Sequence, residues 1–111
     1  MQYLITEYFK RRIKQHMKKH RSLLDDVLHS LETFSPNMHA SLGEDTYKIR
    51  LRSDAMPKGK NKSFRLVVLF MDNECVIPLT LYYKGEQENI LRKEIRYHIN
   101  MIQQEIQQGL V

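Results

Sequence analysis

The residues of this chain best suited to chemistry gather in one stretch. Seven cations lie there: Lys48, Arg50, Arg52, Lys58, Lys60, Lys62 and Arg65. Tyr47, Ile49 and Leu51 alternate with Lys48, Arg50 and Arg52, the two-residue period of an extended strand with one apolar and one cationic face. A polar run through Pro57 and Gly59 carries the next three lysines, and Arg65 opens an apolar run that ends at Met71. Cations projecting from a strand beside a lysine-rich loop make a concave positive surface suited to a phosphate backbone. Other chemistries lack their residues. There is no carboxylate pair for glycosidase work, no phosphate-cradling glycine loop and no metal-ligand spacing, so neither metal nor cofactor is expected. The lone Cys75 excludes an intrachain disulfide and a cysteine zinc site, and it reads as a small buried thiol opening a strand.

The 111 residues make one domain, 1–111, large enough to bury a core. A net charge of +5 points to an acidic partner, nucleic acid or acidic protein. Of the 18 Lys and Arg, seven fall between Lys10 and Arg21, where a solvated helix face explains them as well as a function does. No apolar run approaches the roughly 18 residues that span a bilayer, so no membrane partner is expected. The start Met1-Gln2-Tyr3-Leu4-Ile5 breaks off at Thr6-Glu7 without a secretory pattern, and a cytoplasmic location is expected.

The elements that must position these cations can be read in order. Residues 2–5 read as a short strand. Phe9, Ile13 and Met17 then recur every four residues on one helical stripe. Ser22 followed by Asp25 reads as the start signal of a second helix, with Leu24, Val27, Leu28 and Leu31 inward, running to about Phe34. The Ser, Pro, Asn and Gly of 35–45 read as a loop. Strands follow at Tyr47, at 64–71 with both faces covered, and at 75–83, where Pro78 demands a bulge or an unpaired side. Asp72-Asn73 reads as a two-residue hairpin turn. Asn89 caps a last helix whose Leu91, Ile95, Ile99, Ile102 and Ile106 face the sheet until Gly109 ends it. The class is α+β: a small antiparallel sheet with two N-terminal helices and one C-terminal helix, in the order β-α-α-β-β-β-α.

Three segments in that order resemble the RelE/HigB superfamily of bacterial toxin–antitoxin toxins. They are Tyr-Lys-Ile-Arg-Leu at 47–51, Gly-Lys-x-x-x-Phe-Arg-Leu-Val at 59–67 and Leu-Tyr-Tyr-Lys-Gly-Glu-x-Glu-Asn-Ile at 81–90. The paired helices from Tyr8 through Asp26 are similar too. The resemblance covers nearly the whole chain and rests on three motifs in order, since none is specific alone. It implies a toxin that cleaves messenger RNA, usually on the ribosome, without metal, and that a cognate antitoxin holds inactive.

Carried over by position, the family's working residues are Arg65, Tyr82, Lys84 and Lys60 for catalysis, with Lys48 and Arg50 among the phosphate contacts. Arg52, Lys58 and Lys62 extend the RNA-binding surface. Arg and Lys would steady the charge building on an in-line phosphate, and Tyr82 would transfer a proton or stack on a base. Of Tyr82 and Tyr83, alternation turns one to each face. The general base stays unassigned: His16, His20, His29, His39 and His98 all lie outside the motifs, His98 stands ahead of the other four, and a lysine with a depressed pKa, Lys60 or Lys48, is the other candidate. Lys62-Ser63 stands where many relatives carry Gly-Gly. Two other readings are a ParE-like toxin that inhibits DNA gyrase and cleaves no RNA, and an inactive basic nucleic-acid-binding relative.

Overall fold

The computed structural model describes residues 1–51 and 64–109. The elements are β1 (Gln2–Tyr3), α1 (Glu7–Met17), α2 (Leu23–Glu32), a short 3-10 turn (Pro36–Met38), β2 (Ala40–Gly43), β3 (Thr46–Arg50), β4 (Phe64–Met71), β5 (Cys75–Tyr83) and α3 (Arg92–Gln107). The sheet runs β1-β5-β4-β3-β2; β1 pairs parallel with β5 and the other pairings are antiparallel. The α+β class and the expected order hold, with one strand added.

Two cores explain the three-layer arrangement. Phe9 and Ile13 of α1 and Leu23, Val27 and Leu31 of α2 pack with Ile49, Leu66, Val68 and Phe70 on one sheet face. Ile95 and Ile102 of α3 pack with Val67, Leu69, Ile77, Leu79 and Tyr82 on the other. Every residue from Phe64 to Phe70 is buried, as a doubly covered central strand requires. Asp72 and Asn73 turn the β4–β5 hairpin at φ 53° and 56°, the positive values that Asn and Asp tolerate. Pro78 pairs with Val68 while Thr80 pairs with Val67, so Leu79 is the extra residue of the bulge that the proline implied.

Four local expectations change. Residues 40–43, expected in a loop, form the edge strand β2. It lacks apolar alternation, and its pairing with β3, broken by a bulge between Ser41 and Gly43, makes it a strand. The turn that follows places Gly43 at φ 85°, Glu44 at 52° and Asp45 at 62°. In α2, Leu23 rather than Leu24 or Leu28 shares the buried stripe with Val27 and Leu31. Ser22 has helical φ/ψ and makes no cap bond; its hydroxyl donates instead to Asp26 Oδ2 at 3.3 Å. At α3, Leu91 rather than Asn89 takes the cap position, its N–H donating to Glu94 Oε1 at 3.4 Å. Gly109, at φ 72°, follows the end of α3 as expected.

The stripe that α3 buries also differs. Ile95 and Ile102 are joined by His98 and Glu105, whereas Leu91 is 55% exposed and Ile106 is 37% exposed. Partners on α1 make this possible. Glu105 accepts the N–H groups of Glu7 and Tyr8, each at 2.9 Å, and Thr6 Oγ1 accepts that of Phe9 at 3.1 Å. Three otherwise orphaned amides of the first turn are thereby satisfied, and a carboxylate sits at the positive end of the helix dipole. Among the described residues, no helix is long and apolar enough to cross a membrane.

Candidate functional site

The sheet register builds the site. Arg50 of β3 lies directly opposite Arg65 of β4, and Arg65 lies opposite Tyr82 of β5. Directly opposed residues of antiparallel strands share a face, with Cβ atoms about 5 Å apart. Two guanidinium groups and a phenol therefore form one row across three strands, on the face that α3 covers. Lys48 faces the same way one step along, opposite Val67, and is half-buried. Tyr83 turns to the other face and packs its ring 5.3 Å from that of Phe64, the opposed orientation that alternation required.

The row is dry at one end and open at the other. Tyr82 is 7% exposed and Arg65 8% exposed, whereas Arg50 reaches solvent. The Tyr82 hydroxyl oxygen is fully buried without a hydrogen-bond partner among the described residues. Burial raises the Tyr82 pKa, with the Arg65 guanidinium opposing that rise and the Glu94 carboxylate of α3 adding to it. Burial lowers that of Arg65, as does the neighbouring charge of Arg50, while the Tyr82 phenol opposes both. A guanidinium so perturbed still carries its charge at neutral pH. The chemical capacity of the row is to grip an oxyanion with two planar donor forks, with a phenol alongside.

Lys84 lies outside the strand register that builds the row. Lys84 follows the end of β5, where Glu86 and Gln87 both donate to the Tyr83 carbonyl, so the alternation of the strand does not extend to it. It lines a shallow groove with Gly85, Glu86, Gln87 and Glu88, apart from the row. Arg52, Lys58, Lys60 and Lys62 lie outside the described residues, as does the Lys62-Ser63 pair. Cys75 is half-buried at the start of β5, and burial raises its thiol pKa.

His98, foremost of the five histidines, serves the frame. Its Nδ1 meets the Tyr8 hydroxyl at 2.5 Å, and burial, followed by the Arg12 charge, lowers its pKa to about 4. Arg12 lies over the Tyr8 ring and donates from Nε to Thr80 Oγ1 at 3.0 Å. Tyr8, Arg12, His98 and Glu105 thus tie α1, β5 and α3 together around the covered end of the row. The sequence signal for this network was a polar residue at the right helical step, His98 between Ile95 and Ile102 and Glu105 three after Ile102, in a stripe read instead through Ile99 and Ile106. At the other end of α3, Glu44 Oε1 accepts from Arg96 Nη2 at 2.8 Å and Nε at 3.2 Å and lies 3.8 Å from Arg92 Nη1. Among the described residues, no group of three His, Cys, Asp or Glu side chains could hold a metal ion.

No protein-family model and no curated protein matches the chain. Among solved structures the chain is similar to the intact E. coli RelBE toxin–antitoxin complex, with 20% identity, 72% of this chain and 92% of that one covered, and a TM-score of 0.48. It is also similar to a mutant of the E. coli toxin RelE in the free state, with 22% identity, 79% and 90% covered, and a TM-score of 0.48.

Proposed function

We propose that this chain is the toxin of a toxin–antitoxin pair, of RelE type, and that it cleaves messenger RNA on the ribosome without a metal ion. The observation that carries the reading is the cross-strand row of Arg50, Arg65 and Tyr82. Ribose-directed RNA cleavage concentrates negative charge on one phosphate, and preorganised cations aimed at that charge are commonly the largest contribution to the rate. Arg65, buried between Arg50 and Tyr82, holds the phosphate oxygens; Arg50, at the open end, admits the strand; Lys48 extends the contact to the next phosphate. Tyr82, at the buried end of the row, supplies the proton for the leaving oxygen. Arg52, Lys58, Lys60 and Lys62 take part in RNA binding in this reading. The partner implied by the sequence resemblance is a cognate antitoxin that blocks the cationic face.

Primer extension on cellular messenger RNA after brief induction tests the reading, with wild type beside Arg65→Ala. The expected result is codon-phased cuts in wild type that fall by a factor of about 100 or more in the variant, the scale of losing one donor to a developing charge. Growth arrest with uncut messenger RNA would replace this reading with toxicity through a protein target such as gyrase, and neither arrest nor cuts would leave a basic binding protein.

A further inference from the structure

A second concave surface lies on the opposite, α2 face of the sheet and meets the candidate row at the edge where Arg50 sits. β2 pairs with β3 only as far as Lys48, so among the described residues Ile49 and Arg50 have no strand on their outer side. The space beside them is a groove of about 530 Å³, lined by Asp26, His29, Ser30 and Thr33 of α2, by Met38 and His39, and by Ile49 and Arg50. A volume of that size accommodates a nucleotide. The four α2 residues fall at i, i+3, i+4 and i+7, so they form one polar stripe along the helix. Opposite them, Met38 is 76% exposed, an apolar side chain left in water. The imidazole of His39 stacks flat on Phe34, with centroids 5.5 Å apart and planes 10° from parallel, and burial lowers its pKa. Arg50 makes no ion pair among the described residues.

We propose that this groove is a nucleobase subsite, which receives the base adjoining the phosphate held by Arg50. The proposal rests on the reading of the row as a phosphate site. Each wall matches one part of a nucleotide. Met38 and the flat His39–Phe34 pair offer a polarisable platform for an aromatic ring. The α2 stripe presents hydrogen-bonding groups to a base edge, and Arg50 marks the phosphate end. Asp26 sets the preference. Its carboxylate accepts and cannot donate, so it favours the amino-bearing edges of adenine, cytosine and guanine over uracil, whose edge offers one donor between two acceptors.

Titration of the purified chain with 5′-AMP, 5′-CMP, 5′-GMP and 5′-UMP, followed by the NMR signals of the Met38 methyl and the His39 ring, tests this without relying on cleavage. The expected result is saturable shifts at both residues, with UMP weaker by roughly tenfold, the worth of one hydrogen bond to a charged group. Asp26→Asn, whose amide both donates and accepts, should bring the four nucleotides within about threefold of one another, and Thr33→Val guards against a folding artefact of the first variant. Shifts absent from Met38 and His39, or a preference unchanged by Asp26→Asn, would overturn the proposal. If Asp26→Asn instead abolished capture of the antitoxin with nucleotide shifts absent, the groove would be a protein-docking surface. Cut-site mapping separates this from the parent reading: wild-type cuts whose base preference survives Asp26→Asn sink the subsite alone, while nucleotide shifts in a protein that cuts nothing uphold the subsite and sink the nuclease.

Discussion

Replacing Tyr82 with phenylalanine should separate folding from function. The Tyr82 hydroxyl is buried under α3 with no hydrogen-bond partner among the described residues. A hydroxyl moved from water to such a place costs about 1–3 kcal/mol. Phenylalanine keeps the ring against Ile95 and Ile102 and removes one oxygen; a void of roughly 10 Å³ at about 24 cal/mol per Å³ returns only ~0.2 kcal/mol of that gain. The variant should therefore be more stable than wild type by about 1 kcal/mol, or about 4 °C in Tm for a domain of this size. Urea unfolding followed by circular dichroism reads the difference, with an unchanged m-value showing that the folded and unfolded states are otherwise the same. Under the proposed function the same variant loses messenger cleavage, as expected where stability is given up to place a reactive group. Destabilisation of about 1 kcal/mol or more would show that the hydroxyl is hydrogen-bonded in the folded protein, contrary to the reasoning. A stabilised variant that still cleaves would remove the phenol from the chemistry and leave the arginines.

Three further outcomes follow from the frame. Glu105→Ala, which strips two charge-assisted hydrogen bonds from the first turn of α1, should cost about 2–4 kcal/mol in the same denaturation assay, with Glu105→Gln falling between. The folded-state pKa of His98, about 4, lies below its ordinary 6.5, so the unfolded chain takes up the proton first; stability is complete above about pH 6.5 and lost as pH falls toward 4, by roughly 3 kcal/mol at most. His16 and His39, also lowered by burial, act in the same direction, and unfolding curves at pH 7 and pH 5 for wild type and His98→Gln isolate the share of His98. Glu44→Gln should barely move the denaturation midpoint, and still less in 1 M salt, because its two arginine contacts are exposed to solvent and screening.

Much of the fold was legible because burial leaves periodic marks. The apolar run at 64–70 announced a strand covered on both faces, Asp72-Asn73 announced a tight hairpin, and Pro78 announced a bulge, each through a rule that acts over a few residues. What was not legible depends on contact at a distance. Ala40–Gly43 becomes a strand only because β3 offers it a ladder. His98 and Glu105 enter the buried stripe of α3 only because Tyr8 and the amides of α1 supply partners, and neither partner is visible from the helix that needs it. The site divides the same way. The family resemblance marked Arg50, Arg65 and Tyr82 as candidates, but only the sheet register sets the three side by side and leaves Lys84 in the turn beyond.

That register hangs on one surplus residue. From Met71↔Cys75 to Val68↔Pro78 the paired residue numbers keep a constant sum; past Leu79 the sum rises by one, and that step brings Arg65 opposite Tyr82. Were the bulge to flatten with Leu79 paired to Val67, Leu81 would face Arg65 and Tyr82 would rotate into the opposite core, with no residue of the row altered. Deleting Leu79 would instead remove the surplus and keep Arg65 opposite Tyr82. The site is thus encoded in a backbone irregularity as much as in side chains. Scanning the row by substitution would leave this determinant untouched, whereas replacing Pro78, whose missing N–H favours the bulge, would probe it directly.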